Sequence, residues 1–321
     1  MSVQICVLGL DRVGVSAAMA LSSKHADIRC KGWDPDGEKS KAAEALKVFQ
    51  PVCKDLKGAV KDAALVLVSL PPQEFQAALA EWKTAGLPAA VLVNLSALQA
   101  APAAWIESIL GTDAPYFSML LSLNPAYLNE LPEEQNQTHA DLFNGGRIYI
   151  SASPRAEEGL LNIAVDLAVL LGGQPVFAEA SEVDGWAAAN RLLPELAACA
   201  LMNAVSTQPS WREGRHLAGS ALAAASAPLA ELPAQDWAQT VLADNQNAVR
   251  VLDSLVPALR DLRQALLDQD ASALEELLSE SQSARAEWLE KRMQSAPAGQ
   301  SSLTSVPSKK NALENFLKLG Q

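Results

Sequence analysis

The 321-residue chain carries 25 Lys and Arg against 37 Asp and Glu, a net charge of −12. That balance argues against a nucleic-acid binder, which presents a basic face. Hydrophobic residues at 49% and charged residues at 19% supply a large core, exclude global disorder and suit two domains at this length. In chain order, Val3–Leu8 is a short apolar run ending at Gly9, and 13–22 switches to helical spacing with small residues. The first 25 residues therefore read as strand, turn and helix, with Asp11 and Arg12 interrupting them, and not as a signal peptide. A second strand over 27–33 stops at Pro35, and a polar helix follows over 37–49. Strands at 64–69 and 89–95 flank a helix around 75–82. These strands lack polar alternation, which predicts a sheet covered on both faces, hence mostly parallel and doubly wound.

Beyond it, 116–123 and 147–151 are strand-like on either side of a polar loop over 129–145. A helix over 155–171 ends at Gly172-Gly173, and 175–179 reads as the last strand of the sheet. From about Glu182 onward only helical patterns survive. One apolar helix is predicted over 183–206 with Pro194 inside it, and another over 235–268. In the latter, Leu252, Leu255, Leu259, Leu262 and Leu266 share one face. Ser272 with Glu275 reads as a capping box opening a helix to Met293. Residues 294–309 read as a linker, and 310–319 as a short amphipathic helix that docks on the body or on a neighbour. The expected organisation is an α/β Rossmann domain over 1–180, an all-α helical dimerisation domain over 181–295, and a linker and tail over 296–321. Cys6, Cys30, Cys53 and Cys199 show no C-x-x-C spacing, so reduced thiols in a cytoplasm are expected. The chain has no 18-residue uncharged apolar run, no ligand-spaced His/Asp/Glu cluster and no G-x-S-x-G elbow. A membrane span, a metal site and nucleophilic hydrolysis are therefore not expected.

Gly9-Leu10-Asp11-Arg12-Val13-Gly14 lies between a strand and a helix, the context required of a G-x-G-x-x-G dinucleotide loop. The first glycine makes the tight turn and the last lets helix and strand pack closely, while the pyrophosphate sits on the helix N-terminus. Asp34, 20 residues after Gly14, is placed to accept from a ribose hydroxyl and to repel a 2′-phosphate, which favours NAD over NADP. Ser69, Leu70 and Pro71, where the third strand ends, complete the expected cofactor set. Asp11 stands where the middle glycine belongs. A carboxylate about 4 Å from a phosphate costs on the order of 4 kcal/mol at partly exposed dielectric.

The helical half adds Glu182-Val183-Asp184, Leu192-Leu193-Pro194-Glu195-Leu196-Ala197 and Arg215-His216-Leu217-Ala218-Gly219-Ser220. In order and spacing these stretches resemble the E-H-D, H-L-P-H-L and R-I-A stretches of the prephenate/arogenate dehydrogenase family. Asn245, the leucine face and Asp270–Trp288 resemble its last two helices, so the resemblance spans about residues 3–293. It implies a nicotinamide-dependent oxidative decarboxylation of a cyclohexadienol in tyrosine synthesis, by a homodimer joined through the helical domains.

The departures fall at the chemistry. The family's H-P pair falls on Asn124-Pro125 or on Leu120-Leu121, and its D-x-x-S-x-K is most like Asn94-Leu95-Ser96-Ala97-Leu98-Gln99, so that aspartate and lysine are both replaced by uncharged amides. Val183, Leu192 and Glu195 replace further histidines. An amide orients a hydroxyl but takes no proton, and a general base is worth roughly 10²–10⁴ in rate. Only His25, His139 and His216 remain. Candidate catalytic residues are thus Asn124, Ser96 and His216. Candidate partners for a substrate carboxylate are Arg215 and Arg191, because a guanidinium fork suits that group. A related dehydrogenase for another small acid and a non-catalytic dinucleotide-binding dimer are the alternatives.

Overall fold

The computed structural model describes residues 2–23, 25–88, 90–130, 137–153, 155–230, 233–294 and 306–320. The chain forms two compact units. One comprises Met1–Gly185, Leu232–Ala243 and Ala298–Gln321, the other Trp186–Glu231 and Asp244–Pro297.

The first unit is built on strands β1 (Val3–Leu8), β2 (Ile28–Trp33), β3 (Leu65–Val68), β4 (Val91–Asn94), β5 (Tyr116–Leu121), β6 (Arg147–Ala152) and β7 (Gln174–Phe177). They form one sheet in the order β2-β1-β3-β4-β5-β6-β7. The first five are mutually parallel, β6 runs antiparallel to β5, and β7 is parallel to β6. Every residue of β3 is buried, which is why the sequence shows no polar alternation there. Among the described residues, six helices lie between the strands: α1 (Arg12–Ser22), α2 (Gly37–Ala45), α3 (Leu56–Val60), α4 (Pro72–Thr84), α5 (Ala100–Leu110) and α6 (Glu158–Leu171). One core joins α1 and α6 to one face of the sheet, and another joins α3, α4 and α5 to the opposite face. The sheet is therefore doubly wound, as its apolar runs require.

Two helices carry no strong local signal. Short α3 and the α5 segment were not expected from the sequence, and α5 owes its N-terminus to a distant side chain described below. Gly172 adopts φ +93 and closes α6, the role read from the Gly-Gly pair.

In the helical region, α7 (Ala180–Ala187) leads through a π turn at Ala188–Leu192 into α8 (Leu193–Ser206). The single helix expected over 183–206 is thus interrupted just ahead of Pro194, which offers no N–H to the turn before it. Short helices α9 (Trp211–Gly214) and α10 (Ser220–Ser226) follow. The helix expected over 235–268 divides at Asp244 into α11 (Ala234–Ala243) and α12 (Asn245–Leu267). Helix α11 belongs to the first unit and packs on α4. Helix α13 (Ala271–Met293) is capped two residues earlier than its predicted capping box at Ser272. Its cap is Asp270, whose Oδ1 accepts from Ser272 and Ala273 N–H, because an aspartate ahead of the first turn reaches both donors.

The tail forms α14 (Lys309–Leu317) and docks in cis on α6. Ala312 and Phe316, one turn apart, are buried in the α1–α6 core, and Leu313, Leu317 and Leu319 pack at its margin. The linker expected over 294–309 lies mostly outside the described residues. Among the described residues, no helix is long and apolar enough to cross a membrane.

Candidate functional site

In an open parallel sheet, ligands bind beyond the carboxyl ends of the strands where the strand order reverses. Here the reversal lies between β1, whose chain leads outward to β2, and β3 on its other side. The turn from β1 into α1 opens at that crevice. Gly9 has φ +95, and a Cβ there would lie 2.3 Å from Ser69 O. A Cβ on Gly14 would lie 2.2 Å from Gly9 O. Both glycines are thus fixed by close backbone approach. Ser69 and Leu70 are buried beside the turn, and Pro71 precedes α4.

Asp34 is buried where β2 ends. Leu10 N–H donates to its Oδ2 (2.7 Å) and Asp36 N–H to its Oδ1 (2.8 Å). A carboxylate has about four acceptor sites, so two remain for ribose hydroxyls. The N–H groups of Arg12 and Val13, at the start of α1, have no acceptor within the helix and suit a phosphate oxygen. These groups fit a dinucleotide, with one opposing residue.

That residue is Asp11. It is the N-cap of α1, and its Oδ1 accepts from Gly14 N–H at 2.8 Å. Its Oδ2 accepts from Ser69 Oγ–H at 2.9 Å, bridging β1 and β3 across the crevice. Burial raises its pKa above the ordinary carboxylate value and Asp34 adds to that, while the Gly14 and Ser69 hydrogen bonds and Lys39 oppose it. Its neighbour Arg12 pairs with Glu130 in the segment after β5. His139 Nε2 lies 3.3 Å from the other oxygen of Glu130, its ring stacks on Tyr127 at 4.3 Å, and its backbone N–H donates to Ser16 Oγ on α1. Tyr127 in turn donates to Asp141 Oδ1 (2.6 Å). The sequence singled out neither Glu130 nor His139. They lie 118 and 127 positions from Arg12, and no local pattern links them.

The remaining candidates are held as follows. Asn124 Oδ1 accepts from Ala126 N–H (3.1 Å), and its Nδ2 donates to Asp141 O (3.2 Å), so its amide ties the segment after β5 together. Ser96 Oγ donates to Leu98 O (3.1 Å), and Ser96 N–H donates to Asn94 Oδ1 (3.0 Å). Asn94 is buried and also donates to Leu98 O and Ser118 Oγ. Gln99, at the position of the family's lysine, is buried with its amide donating to Ser96 O. The next two N–H groups, of Gln99 and Ala100, donate to the buried carboxylate of Asp184 at 2.7 and 2.9 Å. Asp184, the aspartate of the Glu-Val-Asp stretch, is thus the cap of α5. Arg191, Arg215 and His216 belong to the second unit. Arg191 is half-exposed and pairs with Glu195 (3.0 Å), and Arg215 and His216 are exposed in one 3-10 turn.

No protein-family model and no curated protein matches the sequence. Solved structures do. A prephenate dehydrogenase from Aquifex aeolicus, in complex with hydroxyphenyl propionate and NAD+, matches with a TM-score of 0.75 at 16% identity, over 90% of this chain and 99% of that one. The arogenate dehydrogenase of Synechocystis matches with a TM-score of 0.66 at 16% identity, over 89% and 99% of the two chains. A putative prephenate dehydrogenase from Corynebacterium glutamicum matches at 0.69 and 17% identity, over 100% and 98%. The chain has the prephenate dehydrogenase fold. The fold implied by the helical-half motifs is thereby established, and so is the order of a Rossmann unit followed by helices.

Proposed function

We propose that this chain is an NAD-dependent oxidoreductase of the prephenate/arogenate dehydrogenase type, acting on a small carboxylate substrate. One observation carries the reading: the chain shares the fold of a prephenate dehydrogenase over nine-tenths of its length, and the close-packed Gly9 and Gly14 with the strand-end carboxylate of Asp34 support a dinucleotide at its switch point. Asp34 favours NAD over NADP, since its carboxylate repels a 2′-phosphate. Bound NAD supplies the hydride acceptor. Around it, the turn from Gly9 to Gly14 and the residues Ser69, Leu70 and Pro71 form the cradle. In the first unit, Asn124 and Ser96 are the candidates for orienting polar groups; in the second, taken by itself, Arg215 and Arg191 are the candidates for a carboxylate and His216 for proton transfer.

The test follows NADH absorbance on addition of prephenate and then arogenate. Turnover with either supports the assignment, and its absence on folded protein that binds NADH removes these two substrates. A second reading, a non-catalytic dinucleotide-binding protein, is favoured by the Asn124 amide, both ends of which are hydrogen-bonded to backbone. Such an amide has little freedom to serve a substrate.

A homodimer through the helical region belongs to the same proposal. No residue of the 23-residue α13 is buried, and Leu259, Leu266 and Trp288 are 56%, 62% and 51% exposed. Large apolar side chains left open in this way support an interaction surface. Sedimentation equilibrium should give a dimer mass, and a monomer at micromolar concentration would remove this part. The four free cysteines suit a reducing cytoplasm.

A further inference from the structure

We infer that Asp11 and Glu130 set the affinity of this chain for a dinucleotide by holding, with their own carboxylates, two of the donors at the α1 N-terminus that its diphosphate needs. The inference rests on the dinucleotide reading above. Two independent contacts carry it. Asp11 lies at the position where the loop pattern has a glycine, and it receives Gly14 N–H at 2.8 Å and Ser69 Oγ–H at 2.9 Å. Arg12, the one guanidinium in the loop, is paired with Glu130 from a segment far along the chain. A diphosphate arriving on the Arg12 and Val13 N–H groups meets the Asp11 carboxylate beside it, and gains the Arg12 guanidinium only by displacing Glu130.

Lys39 acts from α2, while Asp34 from the end of β2 adds a second negative charge. Glu130 also lies 3.3 Å from His139 Nε2. The dinucleotide is therefore bound against an internal competitor, and its diphosphate contributes less than a helix N-terminus ordinarily gives. The adenosine and ribose end, held by Asp34, is untouched by this competition.

The experiment titrates NADH, followed by fluorescence, into wild type, Asp11→Gly, Asp11→Asn and Glu130→Gln. Asp11→Asn keeps an oxygen for Gly14 N–H, so helix α1 stays capped, removes the charge, and turns a donor toward Ser69 Oγ, whose hydroxyl then accepts instead of donating. Adenosine is titrated alongside as a ligand without phosphate. The expected result is NADH binding tighter by about 30-fold or more in both Asp11 variants, as expected for a carboxylate removed from beside a phosphate. Glu130→Gln should tighten it by about threefold or more through the freed Arg12. Adenosine affinity should be the same in all four proteins. NADH affinities within about threefold of wild type in both Asp11 variants overturn the inference and leave the dinucleotide reading standing. Binding seen only in the Asp11 variants supports the inference and removes the NAD-dependent reading for the natural chain. An equal gain for adenosine also overturns the inference, because the effect then lies outside the diphosphate.

Discussion

Replacing Phe316 with Ala should detach the C-terminal helix from the Rossmann unit. Phe316 is 1% exposed and sits with Ala312 in the core formed by α1, α6 and the sheet. Cutting a buried Phe to Ala costs about 3–5 kcal/mol when the surroundings stay in place. Here they need not stay, because α14 is nine residues long and such a helix is marginal alone. Once the ring is gone, Ala312 and the half-covered Leu313 and Leu317 hold it, helped by the Asn315 hydrogen bond to the buried Asp166. The loss is therefore capped at the free energy of docking, and should fall near the lower bound, about 3 kcal/mol. Urea denaturation of the full chain, of Phe316→Ala and of a chain ending at Gln294 measures this directly. The two altered proteins should agree within about 1 kcal/mol, both well below wild type. Limited proteolysis should cut the tail of Phe316→Ala in otherwise native protein. A Phe316→Ala loss below about 1 kcal/mol, or a truncated chain as stable as wild type, would refute the view that this ring anchors the tail.

Three further outcomes are expected. Gly14→Ala, a change that stabilises many helices by about 0.4–1 kcal/mol, should here destabilise by more than that, because its Cβ would lie 2.2 Å from Gly9 O; a stabilised variant in thermal melts would contradict the packing. Asp184→Ala leaves the Gln99 and Ala100 N–H groups without their acceptor and should cost about 2–4 kcal/mol by denaturation, with Asp184→Asn losing less. The folded-state pKa of Asp11 is raised, chiefly by burial, so the folded protein holds this proton more tightly than the unfolded chain. Its contribution to stability is most favourable below the unfolded pKa and declines as pH rises through the folded value. The stability of Asp11→Asn relative to wild type should therefore rise between about pH 4 and pH 7, and a difference that is flat or falls in denaturation at the two pH values would count against the assignment.

The local sequence determined a good part of this molecule. Apolar runs without alternation dictated a sheet covered on both faces, and seven strands between helices realise it. Gly9, Gly14 and Asp34 could be read because turn, close packing and strand-end carboxylate are short-range requirements at fixed spacing. Helical periodicity marked the second half but gave no reliable breaks. The interruption at 188–192 has a local mark in Pro194, but the break at Asp244 has none, and the leucine face of α12 proved half open, with Val251 and Ala265 buried while Leu259 and Leu266 face outward.

Only the tertiary structure decided the rest. The sequence marks Asp11 only as a carboxylate in the loop, and the fold adds that it caps a helix and is bonded to Ser69, 58 positions away. The Arg12–Glu130 pair, the capping of α5 by Asp184, the antiparallel β6 and the docking of α14 on α6 likewise join segments far apart in the chain. Periodicity and capping patterns report contacts within a few residues. A hydrogen bond between distant segments exists only once the sheet order brings two strand ends to the same crevice, and that order is a property of the packed core.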